Sequence, residues 1–484
     1  MGGNGRESGK REGRGRASAS AGAPVPAGRV DPAGGVAPAD VPAPVGAGVP
    51  ADVPAPTSEP SPGDVPAPVA GAGRPVNAKG QPLPERWLAA VAVIWAGQAV
   101  SVFATCAASF AAIWYITETT SSAVWLSLAS ASSLLPVALL SPLGGVAADR
   151  FDRKLVMLVA DGVAGLFSLA LALLFLGGLL EPWLLLALLF VRAAAQAFHG
   201  PALTAAVPLL VPQEQLVRIN SLDQSITSLS SIAGPALGIF LYGAWGLAGV
   251  MLFDALCAAA ACACLAAARI PCMRRGGDAR AGVWADMREG AAFIWRDRGL
   301  RSLMLLVMAA MLLFMPASSL SPLMVYEWFG GNGWSASVVE AVFGVGLLVG
   351  SAAVFAWGGG KRLVPLAMVG GVSIGLALAA CGLLPREGFP AFAALMGVAA
   401  AAMGCLNAPI MPLMQKRAPE DMLGRVMGIF MAGSSLAAPV GLAFSGFVAE
   451  AVGIRAWFLT CGILLVALFA AGALSRSIRA LDAG

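Results

Sequence analysis

Charge is what this sequence has least of. Only 12% of its 484 residues are Asp, Glu, Lys or Arg, while 58% are hydrophobic and the mean hydropathy is +0.78. A water-facing domain carries about 25% charged residues. So little charge cannot cover a surface in water, so most of the chain faces lipid. The formal net charge of +4 is too small to suggest nucleic-acid binding. There is one histidine, and the eight cysteines show no ligand spacing. Seven of them, Cys106, Cys257, Cys262, Cys264, Cys381, Cys405 and Cys461, lie in apolar runs, and Cys272 lies in a basic loop. They read as small packing residues, so no metal, disulfide or cofactor is expected. A phosphate-binding loop is missing too. Gly360-Lys361 is followed by Arg362 rather than Ser or Thr, and Gly344-Val-Gly-Leu-Leu-Val-Gly350 reads as small-residue helix packing, so no ATPase is expected.

Residues 1–85 are of another material, rich in Ala, Pro and Gly, with the word Asp-Val-Pro-Ala-Pro at 40–44, 52–56 and 64–68. Such a segment has no large apolar residues to offset its ordering entropy and is expected to be disordered with polyproline II character. No continuous apolar core follows Arg6, Lys10 and Arg11, so it is not read as a signal peptide.

Apolar runs of about 20 residues, the length that crosses a bilayer, begin near Trp87, Ser122, Lys154, Pro182, Leu216 and Gly246. A second six begin near Arg301, Ser335, Leu363, Phe389, Leu423 and Gly453. Basic residues alternate with them. Arg150, Arg153, Lys154, Arg218, Lys361, Arg362, Lys416, Arg417, Arg425, Arg476 and Arg479 fall in one set of loops, with a cluster from Arg269 to Arg301; the other set holds only Arg386 and Arg455. The positive-inside bias then places both termini in the cytoplasm of a multi-pass inner-membrane protein. Within the basic connection, residues 283–295 show helix-spaced apolar positions beside charges, which predicts an amphipathic helix at the membrane surface.

The halves echo each other at an offset of 207. Leu216-Val-Arg218 matches Leu423-Gly-Arg425, Ala244-Trp-Gly246 matches Ala451-Val-Gly453, and Lys154 matches Lys361. The expected fold is an all-α membrane protein of twelve transmembrane helices in two six-helix pseudo-repeats. Its boundaries are a tail at 1–85, a bundle at 86–269, a linker at 270–300, a second bundle at 301–476 and a short tail at 477–484. A path would run between the bundles.

Gly145-Val-Ala-Ala-Asp149-Arg150-Phe-Asp152-Arg153-Lys154, between spans 2 and 3, resembles the signature loop of the major facilitator superfamily, with Asp152 where many members have glycine. Gly358-Gly-Gly-Lys361-Arg362 resembles its degenerate second copy, Arg192 the arginine of the span-4 motif, and Gly234-Pro235-Ala-Leu-Gly238 the span-5 motif of drug–proton antiporters. Asn220-Ser-Leu-Asp-Gln224-Ser, Val339-Glu340-Ala-Val-Phe-Gly344 and Pro439-Val-Gly-Leu442 are similar to the macrolide-efflux and secretion-effector branch. The resemblance spans roughly 86–476 and implies a secondary transporter rather than an enzyme, acting as a monomer on a small-molecule substrate.

The residues suggest roles within that scheme. Asp149 is expected to latch the bundles by docking on the positive N-terminus of span 11 near Gly424 and Arg425, with Gly145, Arg150, Arg153 and Lys154 around it. Gly234, Pro235 and Gly238 are expected to bend span 5 and admit a close neighbour. Charges within spans each cost about 2.5–3.5 kcal/mol at the bilayer centre and so suggest function. Asp161, Arg192, Asp254, Glu340 and the shallower Asp223 are the proton-coupling candidates. Asp161 and Arg192 are placed to pair, while Asp254 and Glu340 have no evident partner; a lone buried carboxyl binds and releases protons near neutral pH. His199 reads as a packing residue or a relay, and Gln98, Gln196, Gln224 and Asn407 are candidates to line the cavity. The leading function is proton-driven export of hydrophobic or amphipathic compounds such as macrolide-like drugs. Export of one endogenous product, such as a siderophore or lipid, is the narrower alternative. Nutrient uptake is weakly disfavoured because span 1 carries no acid. A non-transporting scaffold or sensor would have no use for the retained loop or the buried acids.

Overall fold

The computed structural model describes residues 76–79, 82–83, 86–268, 283–358, 362–419 and 422–482. Most of the N-terminal tail, the arginines from Arg269 to Arg280, and Lys361 lie outside the described residues. Eleven continuous helices are long and apolar enough to cross a membrane. One of them, Gln213–Ala267, breaks at Gly246 (φ 66°, ψ −176°), giving twelve crossings among the described residues. We label them α1 (Trp87–Thr120), α2 (Ala123–Arg150), α3 (Arg153–Leu176), α4 (Pro182–Leu210), α5 (216–245), α6 (247–267), α7 (Arg298–Ser319), α8 (Gly333–Trp357), α9 (Leu363–Leu383), α10 (Phe389–Asn407), α11 (Leu423–Val452) and α12 (Ile454–Leu474).

The repeat is visible in the backbone. Gly246 joins α5 to α6, and 207 residues later Gly453 joins α11 to α12, also at positive φ (86°, with ψ 149°). Leu216 and Leu423, at the same offset, are the first residues of α5 and α11. Both glycines hold extended backbone at positive φ, a region that side chains essentially exclude, and each lets two spans meet without a loop.

Lipid gives helices no hydrophobic reason to associate, so close contact must come from small residues. On α5, a Cβ at Gly234 would lie 2.6 Å from that of Cys106, and one at Gly238 would lie 2.4 Å from the Ala107 carbonyl of α1. The α5 backbone stays helical through Pro235; the departure from helical dihedrals comes at Gly246. The span-5 motif therefore acts here as a packing seam. On α8, Gly346 and Gly350 face the carbonyls of Gly397 and Ala401 on α10, which is the packing use expected for that glycine run. Large apolar side chains such as Phe355, Leu474, Phe444 and Leu256 are left on the outside.

The loops sort to two ends. At the basic end, Lys154 Nζ donates to the Ala266 and Ala268 carbonyls (2.7 Å each), closing the end of α6, and Asp482 accepts from the Leu363 and Val364 amides at the start of α9. At the opposite end Arg386 and Arg455 stand over the Trp328 ring at 5.2 and 4.1 Å. A helix, Val283–Arg296, occupies the linker where one was predicted. Its Glu289 pairs with Arg425 at 2.8 Å, and its Gly290 lies against Ile429 and Arg425 of α11. Ahead of α1, Asn77 and Leu83 are buried, and Ala78 N–H donates to the Val211 carbonyl.

The bundles meet at the opposite end. Ser122 Oγ and the Val124 amide of the N-terminal bundle both donate to Glu450 (2.8 and 3.3 Å), and Ser127 meets Ser445 at 3.3 Å. Gly446 lies against Ala123 and Val124, and Gly333 and Gly344 of α8 lie against Ile239 and Ile232 of α5. Among the described residues no hydrogen bond or ion pair joins the two bundles at the basic end. The polar contacts described between the bundles thus gather at the opposite end.

Candidate functional site

Residues seven apart lie two turns and about 10.5 Å apart on one helix face. Three spans of the N-terminal bundle carry polar pairs at that spacing: Gln98 and Thr105 on α1, Asp161 and Ser168 on α3, Arg192 and His199 on α4. The fold turns these faces together, and α6 adds Asp254. The result is two polar layers inside an apolar bundle.

In the deeper layer Asp254 is 2% exposed and has three partners. Arg192 Nη2 donates to Oδ2 at 2.5 Å, Ser168 Oγ to the same oxygen at 2.6 Å, and Thr105 Oγ1 to Oδ1 at 3.0 Å. Arg192 Nε is buried without a hydrogen-bond partner. In the layer nearer the basic end, Gln98 Nε2 donates to Asp161 Oδ2 at 3.5 Å, and His199 Nε2 stands 3.5 Å from Asp161 Oδ1 without hydrogen-bond geometry. That contact becomes an ion pair when the imidazole is protonated.

The pairing expected from sequence is thereby corrected. Arg192 belongs to Asp254, not to Asp161, and Asp254 has the partner it had lacked. Depth along a helix is legible in a sequence, but rotation about its axis is not, and rotation decides which neighbour a charge meets. Thr105 and Ser168 were missed. Their seven-residue spacing from Gln98 and Asp161 was the signal that would have found them.

Between the bundles lies a cavity of 330 Å³ lined by Thr105, Cys106, Ser109, Phe110, Ile113 and Ser130 on one side of the chain's repeat, with Ser231 and Pro235. The other bundle contributes Ser318, Ser319, Pro322 and Glu340. Smaller cavities of 140 and 170 Å³ run along the polar ladder, the first touching Asp161 and His199, the second Arg192, and both Gln196. Thr105 lines all three. Of the four amide candidates, Gln98 and Gln196 line these spaces; Gln224 and Asn407 are exposed and line none of them. Asp223 is half-buried and, among the described residues, enters no ion pair.

Residues 83–483 match the family described as transmembrane secretion effector. The chain belongs to that family, within the major facilitator superfamily. A secretion effector of this family is a membrane transporter and not an enzyme. Macrolide efflux protein A of Streptococcus pyogenes is 34% identical over 397 residues, which are 82% of this chain and 98% of that protein. The multidrug efflux pump Tap of Mycobacterium tuberculosis is 27% identical, covering 73% of this chain and 85% of its own. Among solved structures, a POT family transporter aligns with a TM-score of 0.63 at 12% identity, over 79% of this chain and 95% of that one. The nucleoside transporter NupG aligns at 0.61 and 12%, over 78% and 97%. Both show a shared fold.

The family's signature loop does more local work than its sequence suggested. Asp152 caps α3, accepting from the Lys154 amide at 2.9 Å, as a helix N-cap should. Arg153 is buried and its Nε donates to the Ala148 carbonyl at the end of α2. Lys154, expected around the latch, instead closes α6. Asp149 and Arg150 are exposed. A Cβ on Gly424 or on Gly145 would meet nothing within 4 Å.

Proposed function

We propose that this transporter exports hydrophobic or amphipathic small molecules by alternating access, driven by protons, with its basic end in the cytoplasm. The observation that carries the reading is the central cavity, walled by both bundles and set against a ladder of two buried carboxylates. Such a cavity faces the two sides of the membrane in turn when the bundles rock about it. The ladder supplies groups whose partners change with protonation. A proton on Asp254 removes the charge that holds Arg192, and one on His199 draws Asp161 to it. Both events alter packing between α1, α3, α4 and α6, beside the cavity wall at Thr105. When the basic end closes, Asp149 meets the N-terminus of α11 near Gly424, where the helix dipole favours an anion. The named activities of the two relatives, macrolide efflux and multidrug efflux, support export and a largely apolar substrate. A specific endogenous product remains the second reading, and the six hydroxyls of the cavity, which fit a polar ligand, favour it.

Ethidium and erythromycin efflux from cells making wild type or Asp161→Asn, with and without a protonophore, tests the proposal. Wild type lowers accumulation, and either the protonophore or the substitution abolishes this at equal membrane abundance. Efflux that survives the protonophore removes proton coupling. Unchanged accumulation of both compounds removes the drug assignment.

A further inference from the structure

Two arginines depart from the segregation of the basic loops, and the fold brings both to one ring. Arg386 lies between α9 and α10 and Arg455 in the first turn of α12, yet their guanidiniums stand over Trp328 at 5.2 and 4.1 Å. Trp328, beyond the end of α7, is pinned by its indole N–H, which donates to the Leu384 carbonyl at 3.0 Å. The two cations lie within about 9 Å of each other, the scale of a Debye length, and so repel. Among the described residues neither enters an ion pair. Glu327 and Glu387, beside Trp328 and Arg386 in sequence, are exposed, and Glu450 is taken by Ser122 and Val124. Arg455 Nε is buried without a hydrogen-bond partner. The helix dipole adds to the same positive field. α12 starts with no capping side chain and no acid in its first turn, where an anion is favoured and Arg455 stands instead. The Gly453 hinge does not require this cation, because the matching position 207 residues earlier, just past Gly246, is Ala248.

We propose that Arg386, Arg455 and Trp328 form a binding site for the phosphate headgroup of an anionic phospholipid in the leaflet at this end. Guanidiniums are planar donors that grip phosphate oxygens in pairs. The Trp328 ring holds them in place, and indoles settle at headgroup level in a bilayer. Basic clusters at the ends of spans bind anionic headgroups in this way. The position suits a lipid rather than a solute. Leu383 and Val452, each three residues before one of the arginines, are 64% and 50% exposed, so apolar helix surface reaches almost to the charges. Acyl chains lie along that surface while the headgroup meets the arginines. A zwitterionic lipid brings its own cation to the cluster and is bound less well. The site is independent of what the transporter carries and in which direction.

Photolabelling of the full-length protein in phosphatidylcholine nanodiscs tests this. The probes, each added as a trace, are phosphatidylglycerol and phosphatidylcholine carrying a diazirine near the glycerol backbone, and labelled peptides are mapped by mass spectrometry. In wild type the segments around Arg386 and Arg455 take the anionic probe in preference to the zwitterionic one by about tenfold, the scale of a hydrogen bond to a charged group. In Arg386→Gln/Arg455→Gln, checked for an unchanged melting temperature, that preference falls to near parity, while labelling at the basic end stays as in wild type. Arg386→Gln alone, at an exposed loop position, lowers the preference too and serves where the double variant does not fold. Equal labelling of these segments by both probes in wild type overturns the proposal, as does a preference that survives the substitutions. Loss of the anionic label on adding excess inorganic phosphate, but not chloride of equal ionic strength, would make the ligand a free anion and remove the lipid.

Discussion

Asp254 and Arg192 are each nearly buried in the N-terminal bundle, and each is tolerable there because of the other. Removing one partner of a buried ion pair costs about 3–5 kcal/mol, because the remaining charge is left uncompensated. Asp254→Asn should therefore lower the melting temperature and membrane abundance, since Arg192 already has one unpartnered nitrogen, Nε. Arg192→Gln should do the same from the other side. The double variant, which leaves no buried charge at this layer, should recover much of the stability while remaining inactive in transport. Melting curves of the four proteins read the coupling directly; additive losses would mean that the pair does not hold the bundle together. The pair was half legible in the sequence. That Asp161, Arg192, Asp254 and Glu340 lie in spans followed from their apolar neighbours. Which acid faces Arg192 depended on how α3, α4 and α6 are rotated. Only the seven-residue repeats on α1, α3 and α4 carried that information, and they do so for a whole face rather than for one residue.

At the scale of the element, the glycines of the span-5 motif have a packing consequence that can be tested. Gly234-Pro235-Ala-Leu-Gly238 suggested a bend; the dihedrals remain in the helical range there and leave it only at Gly246. The glycines instead bring α5 against the backbone of α1, between the polar ladder and the central cavity. The consequence is a pair of substitutions with opposite signs. Gly238→Ala puts a Cβ 2.4 Å from the Ala107 carbonyl, so backbone must move, at a cost of about 1–3 kcal/mol typical of overpacking. Gly243→Ala, one turn further along α5, meets open space and should gain about 0.5–1 kcal/mol from helix propensity. Thermal stability of the two purified variants separates a packing seam from a merely flexible helix, because flexibility predicts that both alanines stabilise. By contrast the Gly246 and Gly453 junctions were marked in the sequence by the 207-residue offset. A duplicated chain states its hinge twice, and the second copy turns a lone glycine into a pattern.

At the scale of the whole molecule, the described polar contacts between the bundles gather at one end. The twelve spans and their division into two bundles followed from run lengths and from the repeat, because lipid demands long apolar helices whatever the packing. The state of the two ends did not, since the same loop sequences serve both conformations. That end is joined through α2 and α11, where Glu450 takes the Ser122 hydroxyl and the Val124 amide and where Ser127 touches Ser445. Those same helices carry, at their far ends, Asp149 and Gly424. Alternation therefore requires the Ser127–Ser445 contact to open in each cycle. Its hydroxyl oxygens are 3.3 Å apart and both residues are buried, so cysteines placed there have the proximity that a disulfide needs. Ser127→Cys/Ser445→Cys should cross-link readily under mild oxidant and stop export, and a reductant should restore it; each single variant should be indifferent to both reagents. Cross-linked protein that still exports would show that substrate leaves by a route other than between α2 and α11. That result would place the moving gate at the α5–α8 seam instead, where Gly333 and Gly344 meet Ile239 and Ile232.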